Sequence, residues 1–596
     1  MNPISSDPRP SRVWRCLRWL LLTPLVLGTL VALAYAVENW RGERAWKRVQ
    51  RELVAQGHPR NFAALVPPPV PDDQNLALAP LLRPVLAFHR EPDGNLVWDD
   101  RPGLSRLGSV SHVSWATRTK APGDKSWFLG ERVDLPAWQR YYRELAKEIS
   151  APKPPKPTGL DPVLAARYGL QIPTNAATAV TNPAVAGFPQ LRPLSPDLAA
   201  RYGVGTNLTE AEFRNAFTFP VPPALGTPAE DVLLALSLLG VELDSLAVEA
   251  ARRPLDRFPV QYLERPAWGI LLPHLAQAKK FTVVLKLRAA ARLVVGQSDA
   301  AFADALLAMR IAEMMRDEPF LISHLVRAVA WSLALQPVWE GLNDHRWKEP
   351  QLAEFTRRLR ATDLLVDVPR IFQGHIVTEI VPASAKERED LAEMFRSGFT
   401  SRPNADEVQP HQIELGTWLI RHGPAGWFYQ NQVTAAETVR QELANFAARN
   451  GNRGATNFAV QEPAPRYRVH PYRFIVDQFG IQMPLRRGVA TLLRGQAQLH
   501  LTLAACALER HRLATGGHPA ALTELVPRFL DRVPSDPMTG EPLHYVGAAD
   551  GSFKLYSVGE DGLDNGGELG QWTDPPTGEE LLLNGPGDWV WSTVAK

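Results

Sequence analysis

Cysteine is nearly absent: 596 residues contain only Cys16 and Cys506. That excludes a disulfide framework and a cysteine-based metal site. An exported body would have to fold on packing alone, or with help from a metal. Charge of one sign is lacking too, because 65 basic residues stand against 63 acidic ones for a net charge of +2. No global field is available to hold nucleic acid, so none is expected as a partner. Also missing are a phosphate-binding Gly-Lys-Ser/Thr loop, a nucleophile elbow, a dinucleotide fingerprint and a His-Glu-x-x-His zinc pattern. Wholesale disorder is excluded by 45% hydrophobic against 21% charged residues.

Proline and tryptophan are abundant, at 53 and 17 residues. Frequent proline interrupts helices and suits long connectors between short elements. One long apolar run stands out: from Trp19 to Val37 no residue is charged. Nineteen helical residues span roughly 28 Å, close to the thickness of a hydrocarbon core. Arg9, Arg12, Arg15 and Arg18 precede the run, with Asp7 as the only acid. Such a flank stays in the cytoplasm under the positive-inside rule. Ala34-Tyr35-Ala36 also fits a signal-peptidase site. The run is long for a cleaved signal, which favours an uncleaved anchor, and both readings export residues 38 onward. The expected location is the inner membrane, with a single span, the body outside the cytoplasm, and the bilayer itself as one partner.

The expected fold is mainly α, built of helical hairpins, with a single N-terminal transmembrane helix and a C-terminal α+β unit. Its parts are a cytoplasmic tail (1–18), the anchor (19–37), a stalk helix with a small α+β region (38–151), a Pro/Ala-rich connector (152–227), a helical body (228–485) and the C-terminal unit (486–596). A strand is predicted around Leu96-Val97-Trp98 beside a turn at Asp93-Gly94. The connector holds a short repeat, Leu160 to Gly169 echoed by Leu194 to Gly203, and two copies are too few for a solenoid. In the body, Ser298-Asp299 is expected to cap a helix with a stripe of Phe302, Leu306, Met309 and Ala312. Phe281 to Val295, stopped by Gly296, and Phe320 to Leu342 are predicted to flank it.

The C-terminal stretch has three features in order. A helix ends near Thr515-Gly516-Gly517-His518-Pro519. A turn, Asp536-Pro537-Met538-Thr539-Gly540-Glu541-Pro542, follows, and two predicted strands, His544-Tyr545-Val546 and Phe553 to Ser557, lead into Val558-Gly559-Glu560-Asp561-Gly562-Leu563-Asp564-Asn565-Gly566-Gly567. Over about the last 105 residues this pattern resembles the globular end of the major pseudopilin of type II secretion systems. The whole chain is similar to large membrane-anchored bacterial proteins with the same terminal signatures, which implies no activity. The pseudopilin resemblance implies an α+β fold and a calcium loop, with Asp561 and Asp564 as side-chain ligands, backbone carbonyls near Ser557 and Gly559 helping, and Asp588 where the family returns an Asp near its end. Calcium takes six to eight hard oxygens, several of which this loop would supply. A Gly/Asn/Asp loop that merely satisfies turn geometry is the competing reading, and Asn565 replaces one expected acid. No Glu lies between Trp19 and Val37, and no prepilin cleavage site precedes them. Those departures argue against polymerisation as a pilin subunit.

Catalytic candidates are few. Arg421-His422-Gly423 resembles the phosphohistidine motif of histidine phosphatases, but a helix end explains it as well. Glu387-Arg388-Glu389-Asp390 reads as a solvated charge run, and His375, His411, His422 and His470 lack ligand spacing. Trp339, Trp347 and Trp427 fit between helices better than along a groove. No catalytic or organic-cofactor residue is assigned. The expected function is a non-enzymatic membrane-anchored envelope scaffold with envelope protein partners, tied to a secretion or pilus-like machine. Two alternatives stay open: an envelope hydrolase with a site around His422 and Glu379, and a helical peptide-binding module.

Overall fold

One helix joins the apolar run to the rest of the protein. Helix α1 (Arg12–Ala55) continues for 44 residues, and Gly57 closes it with φ at 83°, a left-handed stop that glycine permits. The structure is a computed structural model that describes residues 12–59, 62–91, 96–100, 121–123, 126–150, 224–237, 240–262, 270–376, 380, 385–400, 410–451, 472, 482–548, 552–569 and 587–591. The connector repeat, the Asp93-Gly94 turn, Glu379 and His470 lie outside them.

After α1 comes a one-turn helix, α2 (Arg83–Leu86), then β1 (Phe88–Arg90) and β2 (Leu96–Trp98). The two strands pair antiparallel with Phe88 opposite Trp98. Helix α3 (Leu135–Ser150) buries Trp138, Tyr141, Tyr142 and Leu145, a 3–4 spacing on one face. Helix α4 (Pro228–Leu236) is capped by Thr227, whose hydroxyl accepts from the Glu230 amide, and α5 (Gly240–Arg252) follows.

The centre is a stack of α6 (Pro273–Val294), α7 (Ser298–Glu313) and α8 (Leu321–Asn343), which all pack on one another. Gly296, at φ 80°, makes the first turn as expected. Ser298 is a residue of α7 itself, and the N-cap position falls to Gln297, with no side-chain cap bond. The buried face of α7 also differs from the expected stripe. Ala301, Asp304, Ala305, Ala308, Ile311 and Ala312 are buried, while Phe302 and Leu306 lie at its edge. Small alanines let α6 and α8 approach closely, and Asp304 sits among them because Arg288 of α6 holds it at 3.0 Å.

Helices α9 (Glu349–Ala361), α10 (Val368–His375), α11 (Arg388–Thr400), α12 (Pro410–His422), α13 (Ala425–Gly451) and α14 (Gln482–Thr515) complete the body. Helix α14 packs on α8 and α9, burying Leu492, Ala497, Leu501 and Leu508. Cys506 is buried with them, and burial raises its thiol pKa. Last come β3 (His544–Gly547), β4 (Phe553–Ser557) and β5 (Trp589–Trp591), an antiparallel sheet in that order. A continuous core reaches from Trp46 of α1 to Trp591 of β5, and the Trp591 ring meets Trp127 at 5.2 Å. Trp339 and Trp347 fill this core, with Trp347 edge-on to Phe355.

Helix α1 divides into two functional lengths. Its apolar window is wholly exposed and long enough to cross a membrane, and Leu25, Leu27, Leu30 and Leu33 are each more than half exposed. Helix α8 passes the same length and hydropathy measure, but 61% of its window is buried, which makes it a core helix. Beyond Val37, α1 lies along α13 and buries Trp46, Val49 and Leu53. The crossing is tight because glycines face each other: a Cβ on Gly426 would meet the Glu38 carbonyl oxygen at 2.0 Å, and one on Gly42 would meet the Gly426 oxygen at 2.4 Å. Polar bonds pin the junction. The Tyr35 hydroxyl donates to the His422 carbonyl at 2.9 Å, the Gly426 amide to Asn39 Oδ1 at 2.8 Å, and the Tyr472 hydroxyl to Glu38 at 2.8 Å.

Candidate functional site

The C-terminal loop brings the expected metal residues to the end of the β3–β4–β5 sheet. Ser557 closes β4 opposite Trp589 and is buried. Its hydroxyl donates to Asp536 Oδ1 at 2.9 Å, and the next amide, Val558, donates to Asp536 Oδ2 at 2.8 Å. The Gly559 carbonyl accepts from the Gly562 amide in a tight turn. Only glycine fits at 559, because a Cβ would lie 1.8 Å from the Gly587 carbonyl oxygen.

Asp561 and Asp564 of the loop, and Asp588 returning beside it, are engaged by loop amides, while the loop's Glu560 faces Arg494 at 3.8 Å. Asp561 accepts from the Leu563 amide at 3.1 Å, an Asx turn. Asp564 accepts from the Gly566 amide at 2.9 Å and the Tyr556 hydroxyl at 3.1 Å, with His544 Nδ1 at 3.4 Å. The Gly566 amide holds the Asp564 carboxyl below the usual range. Asp588 is buried and accepts from the amides of Asn565 and Gly567. Burial nevertheless pushes its pKa up. The carboxylates therefore close the loop through its own amides. Among the described residues, no three of His, Cys, Asp or Glu group to hold a metal.

Asp536 reads from the sequence only as a turn former. Fully enclosed, it accepts from Met538, Ser557 and Val558, and so ties the Asp-Pro turn to the loop's origin. A buried carboxylate needs such donors to offset its desolvation. The available signal was Asp at the first position of a proline turn, a favoured Asx site.

Inside the helical body lie two further polar clusters. Arg327, 1% exposed, forks onto Glu313 at 2.9 and 3.0 Å and reaches Asp367 at 3.0 Å, and Trp331 Nε1 donates to the same Glu313. Beside it, His274 Nε2 meets Glu318 Oε1 at 2.7 Å, and Ser323 donates to the other oxygen. His324 Nε2 lies 2.8 Å from the Glu318 carbonyl. Ser, His and Glu are the residue types of nucleophilic chemistry, but Ser323 and His324 are fully enclosed. The adjacent narrow cleft is lined mainly by apolar side chains, among them Leu82, Val85, Phe258 and Met314.

Burial depresses the His324 pKa to about 4, with Arg327 adding to the effect. The neutral ring is favoured in the fold, so stability is unaffected above the unfolded value near 6.5. It falls as the pH drops from there toward 4, by on the order of 1 kcal/mol per pH unit. His500 is shifted the same way by burial. His324→Gln is expected to flatten the slope of unfolding free energy between pH 6.5 and 4, read by urea titrations at several pH values. An unchanged slope would refute the assignment.

The remaining candidates are structural in their contacts. His422 ends α12, with its ring 5.2 Å from Trp418, and Gly423 closes the helix through its amide to Leu419. Arg421 pairs with Glu389 at 2.9 Å. His375 is buried in α10, whereas of the proposed hydrolase pair Glu379 lies outside the described residues.

These observations define a mainly helical protein with small antiparallel sheets and an N-terminal apolar helix suited to a membrane. The chain matches no family model, no curated protein and no solved structure.

Proposed function

We propose that the protein is a membrane-anchored scaffold of the cell envelope, held in the inner membrane by α1 with its body outside the cytoplasm. In this reading the C-terminal unit is pseudopilin-like, and the protein works beside a secretion or pilus-like machine. The observation that carries it is the unbroken passage of α1 from an exposed apolar segment into the core of the body. An anchor on a loose tether only localises a protein, whereas a continuous helix also holds the body at a set distance from the membrane. Cross-linking in native membranes followed by affinity purification is expected to recover components of a type II secretion or pilus-assembly machine. Recovery of none would refute the partnership.

Calcium belongs to the same proposal. Asp564 is exposed and Asp561 half-buried at the loop, and carboxylate oxygens that already accept amide bonds retain lone pairs for a hard cation. The test uses the full chain, because α14 is part of the body's core. Calcium titration by calorimetry, with melts in calcium and in chelator, is expected to give saturable binding and a raised melting point that Asp561→Ala removes. Absence of heat and of any shift would leave the loop closed by its backbone bonds alone.

A further inference from the structure

Helix α12 carries an apolar face that no other described element covers. Leu415 and Trp418, one turn apart, are each 55% exposed, while the opposite side packs on α11, where a Cβ on Gly416 would meet the Phe395 ring at 2.5 Å. A half-exposed Trp and Leu on adjacent turns form a patch that water alone disfavours. The position of the patch relative to the apolar run narrows what can cover it.

Tyr35 lies two residues inside the end of the uncharged run at Val37, about 3 Å along the helix axis. Helical side chains lean toward the N-terminus, which carries the Tyr35 hydroxyl toward the membrane side. That hydroxyl bonds the carbonyl of His422, the last residue of α12. The end of α12 is therefore at the depth where the apolar run of α1 finishes. Trp418 and Leu415 follow within about 6 and 10 Å along α12, and the Trp418 ring rests against the His422 ring. On α1 itself Trp40 is 60% exposed under the Arg44 guanidinium, 5.4 Å from its ring. Trp418 thus lies within about 6 Å of the depth of His422 and Trp40 about 8 Å along α1 from Tyr35, and Trp and Tyr are the side chains that favour the boundary between acyl chains and headgroups.

We propose that the exposed face of α12, Leu415 and Trp418, lies in the headgroup layer of the bilayer that α1 crosses, as a second contact between body and membrane. This rests on α1 spanning the bilayer. One helix through a membrane leaves the body free to rotate about it and to tilt. A second point of contact some distance from the helix axis sets the tilt, and with it the face the body turns to its neighbours. Shallow burial of amphipathic side chains is sufficient for that role.

The test is spin-label accessibility in the full chain in lipid nanodiscs of phosphatidylcholine and phosphatidylglycerol. Labels are placed singly through Leu27→Cys, Leu415→Cys, Trp418→Cys and Val248→Cys in a Cys16→Ser background; Cys506 is buried and stays unlabelled. Val248, 51% exposed on α5, is the water reference, and Leu27, 62% exposed on α1, is the membrane reference. The expected result is an oxygen-to-nickel-chelate collision ratio at 415 and 418 several-fold above that at 248 and below that at 27. Ratios at 415 and 418 equal to 248, with 27 still lipid-exposed, would overturn the inference and leave the anchor standing. A water-like reading at 27 would overturn the anchor and the inference together. Protection of 415 and 418 from both reagents would mean that protein, such as a second copy, covers the face, and would also overturn it.

Discussion

Replacing Gly426 by valine is expected to detach the body from α1. The Cβ of any larger residue would lie 2.0 Å from the Glu38 oxygen and 2.3 Å from its carbon. Both are backbone atoms of α1, so no rotamer change relieves the clash and the two helices must separate. Separation also breaks the bond from the Gly426 amide to Asn39 and the Tyr35 bond to His422. Overpacking of this kind costs about 3 kcal/mol, the upper end of the usual range, and each lost hydrogen bond adds roughly 1 kcal/mol. Trypsin cleavage of the detergent-solubilised chain at Arg44, Lys47, Arg48 or Arg51 of α1 is the readout, since a helix released from α13 loses packing and opens locally to the protease more often. Cleavage of Gly426→Val is expected to be at least tenfold faster, because about 1.4 kcal/mol of opening free energy already changes an equilibrium tenfold. Gly28→Val is the control in the same helix, because nothing lies within 4 Å of its Cβ position. Equal protease resistance in Gly426→Val and the wild type would sink the prediction.

Arg327→Met is expected to destabilise the central stack strongly. Its guanidinium is almost completely buried and satisfies Glu313 and Asp367 together. Burial raises the Asp367 pKa, and Arg327 opposes that rise. Removing the cation leaves two partly buried carboxylates facing each other, and breaking such a pair costs about 3–5 kcal/mol. Arg357→Met removes a comparable contact to Glu354 at the surface, where the Arg side chain is 65% exposed, and should cost less than about 1 kcal/mol. Urea unfolding of the two variants under one set of conditions separates them. Similar midpoints would show that the Arg327 network contributes little beyond solvated pairing.

What the sequence predicted well was local. The helices around Ser298 and Phe320, the Gly296 stop and the strands from His544 and Phe553 follow from 3.6- and 2-residue periodicities and from turn chemistry, and the apolar run at Trp19 was legible from charge alone. The long-range features were not. Asp304 breaks an apolar stripe and reads as a surface position until Arg288, sixteen residues earlier, is placed beside it. Asp536 reads as a turn former until β4 returns its Ser557 to that carboxylate. Nothing near Gly42 announces Gly426, because close approach of two helices leaves a trace only as a small residue on each. The loop acids were found as a group, but their orientation toward backbone amides depends on the fold of the glycines between them.

The bond between Tyr35 and His422 spans 387 residues of chain, and that distance is also an interval of time. At ordinary synthesis rates His422 leaves the ribosome roughly 20 to 80 s after Tyr35. Throughout that interval the lower half of α1, with Trp46, Val49 and Leu53 on one face, has no α13 to cover it. If the chain is exported as it is made, these side chains enter the envelope long before their partner does. A nascent chain in that state exposes one apolar helix face to premature association.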